Sequence, residues 1–209
     1  MGTDFLLIMK SEMILTAIIF ILLFLKVWDG IKSNAALLHI TNVLLFVNLV
    51  TGLFFNTDGE LFNGMYHTNS TLFLEKNILN LGTFIISLFA FDWLLDHKHL
   101  LEFYILLLCT LLGMDFMISS GNLLMFYLGL ELSTIPLAAL CNYDLHKVRS
   151  SESAVKMILS SAFASGILLF GISLLYGTTG TLDFKEMAPL LGSSKLQIFA
   201  FIFTFAGFA

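Results

Sequence analysis

The chain has 209 residues, of which 58% are hydrophobic and only 12% charged, with a mean hydropathy of +0.93 and a formal net charge of −5. A soluble domain carries about 25% charge, so the apolar surface exceeds what one water-exposed core can enclose and the solvent must be largely lipid. The same figures exclude a secreted disulfide scaffold, a disordered tail and, for want of a basic stripe to neutralise phosphates, a nucleic-acid binder.

A spanning helix needs roughly 20 mainly apolar residues, because the hydrocarbon is about 30 Å thick and each helical residue rises about 1.5 Å. Only two Pro interrupt the chain, which favours long continuous helices. The first predicted span covers residues 13–28. Residues 13–25 resemble a signal-peptide core but run into Lys26-Val27-Trp28-Asp29 without a small-x-small cleavage site, so the helix is read as uncleaved. The polar turn Asp29-Gly30-Ile31-Lys32-Ser33-Asn34 separates it from the second span, 35–55, and a longer loop, 56–70, follows. The third, fourth, fifth and sixth spans cover 71–95, 102–120, 123–141 and 153–176, with turn signals between them. A seventh starts near Leu196 and stops in an apolar run, so the chain reads as part of a longer protein. The expected fold is all-α: one polytopic transmembrane bundle over 1–209, with six complete spans and the start of a seventh.

Basic residues in short loops concentrate on the cytoplasmic side. With the N-terminus outside, the inner loops hold Lys26, Lys32, Lys98, Lys147 and Arg149, and the outer ones Lys10, Lys185 and Lys195. The 56–70 loop carries Asp58 and Glu60 but no Lys or Arg, which fits the outer face. The expected orientation is therefore N-terminus outside, with loop 144–149 in the cytoplasm.

Glu131 is the charge that cannot snorkel. It lies near the middle of the fifth span, with about a dozen Å of helix toward either surface, and intramembrane carboxyls commonly mark ion or proton paths. Pro136 frees a backbone carbonyl close to it. Lys156 enters the sixth span about a turn after Ser150-Ser151-Glu152. Ser160, Ser161, Ala162, Ala164, Ser165 and Gly166 then offer small residues against which another helix can pack. A Glu131–Lys156 pair about 4 Å apart would interact by about 4 kcal/mol at an effective dielectric near 20.

The remaining polar residues carry less. Glu75 and Lys76 read as solvated ends or helix contacts, Asp92 and Asp96 beside His97-Lys98-His99 as a solvated turn, and Asp115 as interfacial. Cys109 and Cys141 sit in apolar runs and read as packing residues, without disulfide or metal-ligand spacing. The chain has no GxGxxG dinucleotide signature and no cysteine cluster for iron–sulfur ligation.

Phe126-Tyr127-Leu128-Gly129-Leu130-Glu131-Leu132-Ser133-Thr134-Ile135-Pro136-Leu137, Ser151-Glu152-Ser153-Ala154-Val155-Lys156-Met157 and Gly171-Ile172-Ser173-Leu174-Leu175-Tyr176-Gly177-Thr178-Thr179-Gly180-Thr181-Leu182 together resemble the antiporter-like membrane subunits of respiratory complex I. The clear similarity covers 101–182. Ser133-Thr134 departs slightly from the family pattern. The resemblance implies the N-terminal half of a proton-translocating subunit in a bacterial plasma (inner) membrane. Glu131 matches the family's fifth-helix glutamate and Lys156 its sixth-helix lysine. It further implies no cofactor in this chain, with NADH, flavin, iron–sulfur clusters and quinone held by other subunits, and neighbouring antiporter-like subunits and the bilayer as partners. Two other readings stay open at this point: a subunit of an Mrp-type cation/proton antiporter or membrane-bound hydrogenase, and a membrane protein in which both charges only pack.

Overall fold

In the computed structural model, residues 2–28, 33–54, 58–144, 147–192 and 194–208 are described, with side chains from Phe5 onward. The turn residues 29–32, including Lys32, and positions 145–146 of the predicted inner loop lie outside them.

A short helix α1 (Gly2–Ile8) leads into α2 (Lys10–Trp28), which begins a turn earlier than predicted. Helix α3 (Asn34–Leu53) follows, then a two-stranded antiparallel hairpin, β1 (Gly59–Leu61) and β2 (Tyr66–Thr68), within what the sequence offered only as a loop. Phe62 and Asn63, at φ 53° and 57°, and Gly64 at φ 86° turn the chain between the strands. Helix α4 (Ser70–Phe89) starts where Asn69 Oδ1 accepts the Leu72 N–H at 2.9 Å, an N-cap that satisfies one otherwise orphaned donor.

The predicted third span to residue 95 is corrected here. Helix α4 ends at Phe89, and a separate short helix α5 (Phe91–Leu95) follows the break at Ala90. Leu94 at its end is fully buried, so the segment packs back on the bundle instead of extending the span. Helix α6 (Leu100–Ile118) precedes α7 (Leu123–Cys141), whose bounds match those read from the sequence because Asn122 caps it through the Met125 N–H at 2.7 Å. Helix α8 (Val148–Thr179) has 32 residues, or about 48 Å at 1.5 Å per residue, longer than the predicted 153–176 and longer than the hydrocarbon is thick. It stops at Gly180, whose φ of 75° is a left-handed cap that glycine accepts without steric cost. A short helix α9 (Phe184–Met187), one 3₁₀ turn and α10 (Lys195–Phe208) complete the described chain.

Among the described residues, six helices (α2, α3, α4, α6, α7 and α8) are long and apolar enough to cross a membrane. Their outward faces carry Phe20, Phe24, Phe89 and Phe163, all largely exposed, while their inward faces form two apolar cores. The first gathers Leu15, Leu22, Leu38, Leu45, Leu94 and Leu108 from α2, α3, α5 and α6, and the second gathers Leu123, Leu168, Ile172, Met187 and Ala200 from α7 to α10. Apolar residues on both faces are what a lipid solvent requires. The chain is an integral membrane protein.

Helices α6 and α7 touch backbone to backbone. A Cβ at Gly113 would lie 2.4 Å from Ser133 N, and one at Gly129 2.7 Å from Met117 N, so glycine at these two positions is what permits the approach. That contact fixes α7, and with it Glu131, against the first half of the bundle.

Candidate functional site

Glu131 sits at the centre of α7, half-buried, with its Oε1 shielded from solvent and without a hydrogen-bond partner. Tyr127, one turn earlier on the same face, interacts with both Glu131 and the buried Ser165 of α8. Ser133 and Thr134 turn their hydroxyls back onto the carbonyls of Leu130 and Glu131, as hydroxyls do in apolar helices where no other acceptor is near. Pro136 has no N–H to offer to the carbonyl four residues back, so the backbone acceptor of Leu132, next to the acid, lacks its helical donor.

Lys156 is placed differently from expectation. Its ammonium pairs with Glu152, four residues earlier on α8, and the two side chains are 72% and 58% exposed. The register of the antiparallel α7–α8 pair explains why Glu131 is not its partner. Ser150 Oγ donates to Cys141 O at 2.7 Å and Ser151 Oγ to Asn142 Oδ1 at 2.9 Å, while Tyr127 meets Ser165. Glu131 therefore faces the stretch near Ser161, roughly 7.5 Å of helix rise from Lys156. Of the small residues read as a packing face, Ser165 is buried, whereas Ser160, Ala162 and Gly166 are exposed. The tight contacts of α8 lie further on: a Cβ at Gly171 would meet Thr204 N at 2.6 Å, so the close partner is α10.

A second polar centre, which the sequence did not single out, lies at the end of the bundle capped by the hairpin. Lys76 Nζ binds Glu12 Oε1 at 2.5 Å, and both side chains are 2% exposed. Tyr66 of β2, fully buried, donates its hydroxyl to the same Glu12 oxygen at 2.9 Å and accepts from Lys76 at 3.1 Å. Asp115 of α6, also fully buried, accepts from Ser11 at 3.1 Å. Burial, reinforced by the Glu12 charge, pushes the Tyr66 hydroxyl well above its ordinary range, which keeps it a donor.

One reading is corrected by this centre. Asp115 is enclosed in protein instead of interfacial, because Ser11 and the hairpin cover that end of α6. Lys76 points inward while its neighbour Glu75 is exposed, as expected of residues about 100° apart on a helix. The signal available in the sequence was Asp115 within an apolar run, and it lacked a visible partner because Glu12 and Lys76 come from distant segments.

The loops above this centre tie one another down. His67 N–H donates to Ser119 O at 2.9 Å, Gly121 N–H to Met65 O at 2.7 Å, Leu123 N–H to Leu182 O at 3.0 Å and Phe184 N–H to Gly121 O at 3.2 Å. Lys185 also reaches Glu60 at 2.8 Å. That contact lowers the Glu60 carboxyl from its usual range and raises the Lys185 amine.

At the opposite end, His99 and Lys26 both contact Glu102, and His97 stacks on Tyr143, with Trp93 tilted against the same ring. Cys109 packs against the first core as expected. Cys141 is exposed, with its sulfur 3.3 Å from that of Met157.

Residues 120–209 match the family described as NADH:quinone oxidoreductase/Mrp antiporter, TM. The chain is similar to NADH-quinone oxidoreductase subunit N of Phocaeicola vulgatus, 42% identical over 204 residues that cover 96% of this chain and 43% of that protein. It is similar to the protein of the same name from Bartonella bacilliformis, 33% identical with 98% and 43% covered. Among solved structures, a chain of respiratory complex I from Thermus thermophilus with bound aureothin superposes with a TM-score of 0.74 at 25% identity, covering 94% of this chain and 42% of that one. A chain of an archaeal membrane-bound sulfane sulfur reductase superposes with a TM-score of 0.76 at 20% identity, covering 99% and 44%. The chain spans less than half the length of these relatives. The similarity extends over the first three spanning helices, where the sequence motifs alone carried no specific match.

Proposed function

We propose, from the premise that this chain belongs to the NADH:quinone oxidoreductase/Mrp antiporter membrane family, that it is the N-terminal part of a proton-translocating subunit of NADH-quinone oxidoreductase. In this reading it lies in the bacterial plasma membrane with the hairpin end outside and loop 144–149 in the cytoplasm, beside further antiporter-like subunits. Other subunits hold NADH, flavin, iron–sulfur clusters and quinone, and quinone reduction there drives proton movement here. The chain itself performs no redox step.

The observation that carries this reading is Glu131: a carboxyl at mid-span with a shielded, unpartnered oxygen beside Tyr127 and Ser165. A carboxylate outside any ion pair can accept a proton and release it without breaking one. Lys156 acts from a distance. Its ammonium is drawn toward Glu152, away from the level of Glu131, so the separation exceeds about 8 Å and, at an effective dielectric near 20, the interaction is below about 2 kcal/mol, less than half of what direct contact would give. The bond to Glu152 sets how much of the lysine's charge Glu131 experiences: when Glu152 holds the ammonium, the field at Glu131 is partly cancelled, and when it lets go, the field is restored.

The same geometry suits an Mrp-type cation/proton antiporter or membrane-bound hydrogenase subunit, and the family description covers the antiporters. The test uses the whole complex in sealed inverted vesicles, following NADH oxidation and proton uptake together. Glu131→Gln is expected to abolish most proton uptake, Glu131→Asp to keep a substantial part, and wild-type uptake to be unchanged when sodium is replaced by potassium. Normal proton uptake per NADH in Glu131→Gln would remove Glu131 from the path, and sodium-dependent uptake would favour the antiporter reading.

A further inference from the structure

Glu12, Lys76 and Asp115 place two carboxylates and one ammonium in a compartment where none of the three residues is more than 2% exposed. If all three are ionised, one negative charge has no counter-charge. An uncompensated buried ion is strongly disfavoured even after the protein relaxes around it.

The oxygens can be accounted for singly. Glu12 Oε1 is taken by Lys76 and Tyr66, and Asp115 Oδ2 by Ser11, while Glu12 Oε2 and Asp115 Oδ1 are buried without a partner. Among the described residues the neighbouring elements supply no further cation. Glu12 and Lys76 are the charged groups acting on Asp115, β2 contributes the neutral Tyr66 while its His67 acts on Glu60, and Lys10 is directed at the carbonyls of Thr51 and Phe54.

We propose that this cluster is a proton-binding site, separate from Glu131, in which Asp115 carries one exchangeable proton while Glu12 remains the counter-ion of Lys76. Binding forms an O–H bond on Asp115 and cancels the excess negative charge, and release returns the proton to water. A metal cation is the poorer occupant, because the Lys76 ammonium already stands within the cluster and would repel it. The helices involved, α2, α4 and α6, do not carry Glu131, so the site stands independently of the transport role proposed for that residue.

The test is infrared difference spectroscopy on the membrane complex containing the full-length subunit, with and without carboxyl-¹³C aspartate. Wild type at neutral pH should show a protonated-carboxyl C=O band that shifts with the label and with deuterium exchange. Asp115→Asn should remove that band, and Glu131→Gln should leave it in place. If Asp115→Asn does not assemble, Asp115→Glu must retain a band that no longer responds to labelled aspartate. Lys76→Met should bring a second proton into the cluster and add a second protonated-carboxyl band. A wild-type complex with no such aspartate band, a band indifferent to both Asp115 variants, or a band that appears only when sodium is withdrawn would each overturn the proposal.

Discussion

Lys76 binds Glu12 across the α2–α4 interface with both side chains 2% exposed, and Tyr66 holds the same carboxylate oxygen from the hairpin above. One buried oxygen thus joins two membrane helices to the hairpin. The Lys76 ammonium also lies 5.2 Å from the centre of the Tyr66 ring, an additional attraction for a desolvated cation. The hairpin is consequently part of the bundle and not an appendage to it.

Removing one partner of a buried ion pair leaves a charge that must stay unpaired or be neutralised by a proton and costs up to about 5 kcal/mol, whereas replacing both with neutral groups of similar size is close to neutral. Glu12→Gln and Lys76→Met should each sharply lower the thermal stability of the detergent-solubilised subunit, and the double variant should recover most of the loss. Additive losses would show that the two side chains do not act as a pair.

Gly113→Val should separate α6 from α7, because its Cβ would lie 2.4 Å from Ser133 N and the obstruction is backbone that cannot rotate away. Overpacking of this kind costs about 1 to 3 kcal/mol. Gly82→Ala in α4, where nothing lies within 4 Å, is the control and should gain up to about 1 kcal/mol from helix propensity. Equal effects at the two sites, measured by denaturant unfolding, would remove the close-contact explanation.

The Glu60–Lys185 contact tethers β1 to α9, and its pH window follows from the direction of each shift. Glu60 is lowered by Lys185, so its contribution is present above the unfolded-state value near 4.5 and is lost as the pH falls through the lower folded value. Lys185 is raised by Glu60, so its contribution is present below about 10.5 and is lost as the pH rises through the higher folded value. The difference in melting temperature between wild type and Glu60→Gln should therefore be small, steady through neutral pH, and vanish at both extremes. It should also shrink as salt is added, because both groups are exposed. A difference that grew in acid would contradict the assigned signs.

Loop 144–149 is expected on the cytoplasmic side. Val148 is 83% exposed, so a cysteine there, with Cys109 and Cys141 replaced by serine, should be protected from an impermeant thiol reagent added outside intact cells. It should become reactive once the membrane is opened. Labelling from outside would invert the orientation.

The number of spans, their order and the lipid environment were legible in the chain because each depends only on local composition. An apolar run of sufficient length must become a helix in hydrocarbon, where every backbone N–H and C=O needs an internal partner. Glu131 was legible for the same reason, since its depth follows from counting along one helix. What the sequence could not show was which charges meet. Lys156 was within plausible reach of Glu131, but the register of α7 against α8 leaves it to Glu152. Lys76 and Asp115 looked terminal, yet the return of the chain through α2, the hairpin and α6 encloses both around Glu12. Such a meeting is decided by helix rotation, by the axial offset that Gly113 and Gly129 allow, and by a hairpin that closes the end of the bundle. Side chains separated by 64 and 104 positions in the chain, as in Lys76–Glu12 and Ser11–Asp115, become neighbours only when those packing geometries are fixed.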